Sequence, residues 1–444
     1  MVGKAGLIVV VGFAVILGYM SLNMARLGRK AVDNMSSYND ATISHNLAST
    51  GANIGLARFY ADTTWRGDTT QILNGPKFNG SIRYGVSNTT MPNIVRMQAI
   101  SSYLSPTLPL AETLHDTVMV YLNTNDTSSF SKFAWFTNNE NSVNWTTQDT
   151  VWGMVHSNGT LYVNGKPVFM KHVTTSKSFS PAPGKSSGGK TNNAIFKDSY
   201  ETGVPTRTFP DNLAGMDSVA SLPTGKKYKT GDSIFVTLYP GTSANGDGKV
   251  AVRKNSWSGT LLDSIQLGSA SFNGVLACTQ SIHVKGTLDG VLSLAALSTN
   301  IIIEDNTIYE RNPQTTTSDD LLGIVAEKNV IVADNTANND NCSINGCIFT
   351  RTGSFYAQNH DNTSPKHADP LYGTLNILGS IVQNTRGPVG TTSGSGPVTG
   401  FSKRYRWDDR LTDTFKPPAF PEYLSKVYAI VNWWESMRVP NLRE

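Results

Sequence analysis

A mainly β protein led by one long N-terminal α-helix is what this sequence predicts, and three observations predict it. The first residues form an uncharged apolar run, 5–22, that flows into a polar segment with helical spacing. The body holds 39 Gly and abundant Ser, Thr and Asn, the residues of turns between strands. From about Val151, short apolar runs return at roughly 20–29 residues, the sign of stacked rungs. The expected layout is an N-terminal helix over 1–62, a small antiparallel β-domain over 63–150, a right-handed parallel β-helix over 151–400 with an insertion at about 173–256, and a tail with a short helical cap over 401–444.

The helix is justified first by its apolar run. About eighteen residues at 1.5 Å each reach roughly 27 Å, close to a bilayer core. Lys4 precedes the run, and Arg26, Arg29 and Lys30 follow it. Between Asn23 and Ala52 there is no Pro, and Gly occurs only at Gly28 and Gly51. Leu27, Ala31, Met35, Tyr38, Ala41, Leu47, Ala48 and Ile54 recur near a helical period. Such a rod would be on the order of 84 Å long. The segment after Leu22 makes a poor signal-peptide cleavage site. A membrane anchor with a stalk, or an assembly helix, remains. In the latter case the apolar contacts would come from Leu7, Ile8, Val11, Phe13, Val15, Ile16, Tyr19 and Met20.

Strands are expected next, at 94–100 and 117–122, where apolar and polar residues alternate. Beyond Val151 the runs shorten to three to five residues, as at 275–278, 281–286, 290–295, 300–304, 329–332, 347–349, 354–357 and 373–382. Strands this short bury their inward residues only by stacking on the next rung, which favours a β-helix over an irregular β-sandwich. The Ser/Pro/Gly stretch 176–189 reads as a surface loop. Residues 232–239 and 248–253, joined through Asn245-Gly246-Asp247-Gly248, read as a hairpin on the insertion.

Charge and chemistry exclude several classes. Charged residues make up 16% of the chain, with a net of +4 and no long basic run, which argues against nucleic acid as a partner. The seven His are scattered, and no spacing suggests a metal cage, a cofactor site or catalytic residues. Asp319-Asp320 reads as a turn and capping element rather than a catalytic pair. The Asx-rich stretch 334–341 lacks the spaced acids and bidentate Glu of a calcium loop. Cys342 and Cys347 could bridge locally, and Cys278 has no evident partner. An Arg–carboxylate pair within Asp408-Asp409-Arg410 is expected to fix the tail. Residues 423–437 read as an amphipathic helix. Trp407, Asp409, Arg410 and Trp434 would then cap the open end of the stack.

A resemblance enters at residues 6–18 and 44–56, which resemble the N-terminus of PilX-like minor pilins of type IV pili. It implies a structural subunit, not an enzyme, that packs with copies of itself in a helical polymer. It further implies residence in the inner membrane before assembly, display at the cell surface, and possible association with other pilin-like proteins. The acid that type IV pilins carry near the start of this helix is absent: no acid precedes Asp33. The first four residues, with Lys4, are therefore expected outside any dry interior. Stretches 156–169, 319–326, 384–390, 400–411 and 417–421 resemble a family of β-helical cell-surface domains. The body from Thr63 is expected to fold without the helix. The alternative function is a membrane-anchored surface β-helix that binds or cleaves polysaccharide.

Overall fold

One helix, α1, runs unbroken from Val2 to Ala61, 60 residues and about 90 Å at 1.5 Å per residue. The computed structural model describes residues 2–62, 65–75, 78–91, 93–106, 113–123, 126–229, 231–241, 248–362, 369–393, 396–425 and 429–436. The chain is mostly β apart from α1, and divides into two units, Met1–Asp126 with Ser425–Glu444, and Thr127–Leu424.

In the first unit, β1 (Gly67–Gly75), β2 (Phe78–Asn88), β3 (Ile94–Leu104) and β4 (Thr113–Asn123) pair antiparallel in chain order. Their alternation puts Ile82, Tyr84, Met97, Ala99, Val118 and Val120 on one buried face. The second half of α1 covers that face with Ala48, Ala52, Leu56 and Phe59. Small residues at helical spacing, Ala48, Gly51, Ala52 and Gly55, let the helix axis approach the strands closely. A methyl group on Gly51 would overlap Ile82, and one on Gly55 would overlap Met97. Gly51→Val should therefore lower stability by about 1–3 kcal/mol, because overpacking outweighs the helix propensity gained. Gly28, with nothing within 4 Å, supplies the control: Gly28→Ala should be neutral or stabilising. Thermal unfolding followed by circular dichroism separates the two, and equal behaviour would refute the tight contact.

This packing corrects one expectation. A chain beginning near Thr63 (itself outside the described residues) would strip Ala48, Ala52, Leu56 and Phe59 from the sheet. The helix is separable only ahead of Asp40, where none of the described residues is buried.

The C-terminal segment is a second correction. The expected helix over 423–437 is instead, in its described part, β5 (Ala429–Ser436), an antiparallel edge strand on β4 with a bulge between Ile430 and Asn432. Ile430, Val431, Trp433 and Trp434 are β-branched or aromatic, and the edge of β4 offers them backbone partners. Trp434 pairs with Met119 there and belongs to the first unit.

The second unit is built on a large parallel sheet. One ladder joins Lys226–Tyr228, Val275–Cys278, Val291–Ala296 and Leu321–Ala326, then residues 347–350 and 381–385. It continues through Trp135–Asn139, Val155–Ser157, Val173–Thr175 and Tyr200–Thr202. A second ladder stacks 234–238, 282–284, 301–303, Val330–Val332 and Phe355–Ala357. A third links strands from 286–288 through 342–345, 375–378 and 402–406 to Val168–Phe169 and Ile195–Phe196. Stacked Asn side chains mark one turn between ladders: Asn329 donates to Asn300 Oδ1, and the Ser354 amide donates to Asn329 Oδ1.

The order of strands in space is not their order in the chain. Residues 381–385 pair with 135–139, so the beginning of this unit stacks beside its end. Residues 127–150, expected in the small β-domain, are thus part of the second unit, with Phe130, Phe136 and Trp145 fully buried. The region 173–256 is not a protruding insertion. Its first strands finish one end of the sheet, and those from Lys226 begin the other. The expected hairpin exists as Ile234–Tyr239 and Lys249–Lys254; its turn at 245–247 lies outside the described residues.

Two cores result. Inward residues of the ladders, among them Val284, Ile303, Val332 and Ile377, form the first. The second lies on the outer side of the first ladder, where α2 (Ala214–Ala220) and the tail with Phe420 and Tyr423 cover Val275, Ala295, Val325 and Phe349. Strands covered on both faces read as continuous apolar runs such as Leu321–Ala326. Cys342 and Cys347 sit on one strand and face different cores, so they are free thiols rather than a bridge. Cys278 is also free and buried, and burial pushes the Cys342 thiol up to about 12.

Candidate assembly surface

Ahead of Asp40, α1 is bare. Leu7, Ile8, Val11, Phe13, Val15, Ile16, Tyr19 and Met20 are each between 53% and 72% exposed. Together with Val10 and Leu17, also exposed, they project around the whole circumference, as in a helix meant to be surrounded by apolar material. By length and composition this segment could cross a membrane. Lys4 is exposed, and Arg26, Arg29 and Lys30 follow within a few turns of the apolar run. An uncovered apolar surface of this length is not stable as a free surface in water.

Where the bare half meets the docked half, a buried polar cluster pins the helix to the sheet. Asp40 accepts a hydrogen bond from Ser105 Oγ. Ser44 and Ser101 hydroxyls meet at 2.8 Å. His45 Nδ1 lies 2.9 Å from Asp116 Oδ2, and its Nε2 lies 3.3 Å from Glu435 Oε2. Burial and the nearby Asp40 carboxylate raise the Tyr103 phenol. A shift of one turn along the helix would leave these groups unpaired, so the cluster sets the register of α1 on β3 and β4. Sequence reasoning missed it. The available signal was polar residues, Ser101 and Asp116, at strand positions whose neighbours point into the core.

The tail residues assigned to a cap act differently. Arg410 donates to Asp408 at 2.7 and 3.0 Å, and to the carbonyls of Ser318 and Asp320. Asp409, expected in that role, is exposed. Trp407 Nε1 donates to Ser131 O at 3.1 Å and its ring touches both cores. These residues fasten the tail along the flank of the sheet, not across an open end.

Carboxylate oxygens of Asp289, Asp319 and Asp320 come within 4.8 Å of one another, a set that could hold a hard cation. Asp320 also works locally, accepting from the amides of Gly290 and Arg311 and from Ser318 Oγ, the capping role read from its sequence. In the stretch 334–341, Asn338 donates to Ile303 O and Ala333 O, and Asp334 accepts from Asn339 and Asn359, so its side chains brace turns. His156 packs against Phe136, bonded to Thr174 and Asn158, and burial lowers it to about 4. It is a neutral core histidine.

No family model, curated protein or solved structure matches this chain.

Proposed function

We propose that this chain is a structural subunit of a pilus-like extracellular filament, held in the inner membrane by α1 before assembly and packed through the same helix afterwards. The observation that carries this reading is the division of α1. Its second half is locked to a sheet by Ala48, Ala52, Leu56 and Phe59, while the described apolar side chains of its first half are uncovered. An anchor alone needs no rigid continuation into the folded unit; a subunit that transmits force between neighbours does. Copies sharing such a helix meet through different patches of their surfaces, which generates an open helical array. Other pilin-like proteins would enter that array by the same contact. The resemblance of residues 6–18 and 44–56 to PilX-like minor pilins agrees with it.

The finer fold reading belongs to the same proposal. The three parallel ladders are the faces of a right-handed parallel β-helix, since nearly all connections between parallel strands are right-handed and each rung is buried only by the next. Its role at the cell surface is structural, not catalytic. The competing function, a membrane-anchored surface protein acting on polysaccharide, shares the anchor and differs in the polymer.

Electron microscopy decides between them. Material sheared from producing cells should contain filaments decorated along their length by antibodies against residues 127–424. Detergent-extracted chain should polymerise once the detergent is removed. Membrane-bound monomers alone under both conditions would leave the anchor reading in its place.

A further inference from the structure

Three antiparallel strands flank the parallel sheet at one end: Ile234–Tyr239, Lys249–Lys254 and Leu261–Gln266. Their inward residues, including Val236, Val250 and Ile265, are buried. Their outward residues line a groove of about 480 Å³. Ala251 and Ser264, paired across the strands, are small and form its floor. Tyr239, Lys249 and Gln266 make one wall, and Arg253 stands in the other.

We propose that this groove binds an acidic glycan chain, carrying carboxylate or sulfate groups. Lys249 and Arg253 point the same way from one strand, about 13 Å apart at 3.3 Å per residue. Neither forms an ion pair with a carboxylate among the described residues. The acids on or beside these strands are engaged elsewhere: Asp263 with Lys226 at 2.7 Å, Asp232 with Lys254 at 2.8 Å, and Asp289, whose carboxylate accepts from the Gly241 amide at 3.1 Å. The Gly259 carbonyl holds Arg253 in place at 3.0 Å. Tyr239 is 46% exposed and presents its ring beside Lys249. An exposed ring offers a sugar its apolar face, and two unmatched cations separated by a few sugar lengths suit anionic groups spaced along the chain. The open, shallow shape takes a segment of polymer rather than an enclosed small molecule. A single-stranded nucleic acid would call for a longer cationic track and several stacking rings. This proposal stands whether or not α1 polymerises.

Titration calorimetry on the full-length chain in detergent tests it, with short oligomers of galacturonate, a sulfated chondroitin oligomer, a neutral cello-oligomer and a single-stranded oligonucleotide as probes. One or both acidic glycans should bind, more weakly at higher salt, and the neutral oligomer should not. Lys249→Glu with Arg253→Glu should weaken glycan binding by about tenfold or more, and Tyr239→Ala by severalfold, both with unchanged melting temperature. Failure of both acidic glycans to bind would overturn the proposal. So would undiminished binding by the double variant, or an oligonucleotide that binds more tightly through the same residues.

Discussion

Arg386→Met is expected to destabilise the second unit by about 3–5 kcal/mol, because it strands a buried carboxylate. Arg386 is 2% exposed and Glu140 is 1% exposed. Arg386 Nη1 donates to Glu140 Oε2 at 2.8 Å and to Val143 O at 3.1 Å. The guanidinium also lies 4.1 Å from the Trp145 ring centre and 5.1 Å from that of Trp135. Thr137 Oγ1 donates to the other Glu140 oxygen. The location explains why the pair is there. Thr385 and Asn139 form the last register pair between strands far apart in the chain, and Arg386 and Glu140 come immediately after. The ion pair closes the seam where the start of the unit stacks on its end. Urea unfolding of Arg386→Met, Glu140→Leu and the double variant measures the coupling. The double variant should recover most of the loss, since two apolar side chains leave no charge unpaired. A cost below about 1 kcal/mol for Arg386→Met would mean that water already reaches Glu140.

That seam also shows where sequence reading stops. The rungs were legible because each is local: a short apolar run, a Gly or Asn turn, then another run. Val275–Cys278 and Val330–Val332 fall where the pattern placed them. Which rung neighbours which is not local. Nothing near Trp135 announces that it will lie beside Ile381, so the local pattern joins 127–150 to the small β-domain and sets 173–256 apart as an insertion. The long helix was legible to within a residue or two, since the expected 1–62 is Val2–Ala61. Its docking was not: Ala48 and Ala52 look like ordinary helix formers, and Gly51 like a weak point in the helix, until Ile82 and Ala99 are seen against Gly51.

The tail failed for a different reason. Val427, Ile430, Val431 and Trp434 happen to fit a helical period, yet β-branched and aromatic residues also fit a half-covered strand. The free edge of β4 decided the matter, and that edge is a tertiary fact. The local bridge left open for Cys342 and Cys347 rests on spacing alone. Five residues apart on an extended strand, they point to opposite faces. Among the candidate residues, the bare apolar stretch of α1 was legible because exposure there is uniform, whereas the cluster around His45 depends on Asp116 and Glu435, distant in the chain.

Val11→Asp or Ile16→Asp should abolish filaments and leave soluble or degraded chain. Both residues lie inside the uncharged run, 53% and 56% exposed, and no acid precedes Asp33. A carboxylate at the centre of a bilayer costs about 2.5–3.5 kcal/mol, so membrane insertion suffers first. In a polymer the same charge enters an apolar contact at every subunit, and a loss of about 3 kcal/mol weakens each addition by roughly 150-fold. Neither residue touches a folded unit, so the melting temperatures should not change; filament yield by sedimentation and microscopy should. Lys4→Gln is the matched control. Lys4 is exposed, and the start of the helix offers no carboxylate for a neighbour to pair with. Assembly should therefore tolerate its loss and be nearly insensitive to salt, unlike an array held by terminal ion pairs. Filaments that persist in Val11→Asp, or that vanish in Lys4→Gln, would place the polymer contact outside the apolar helix.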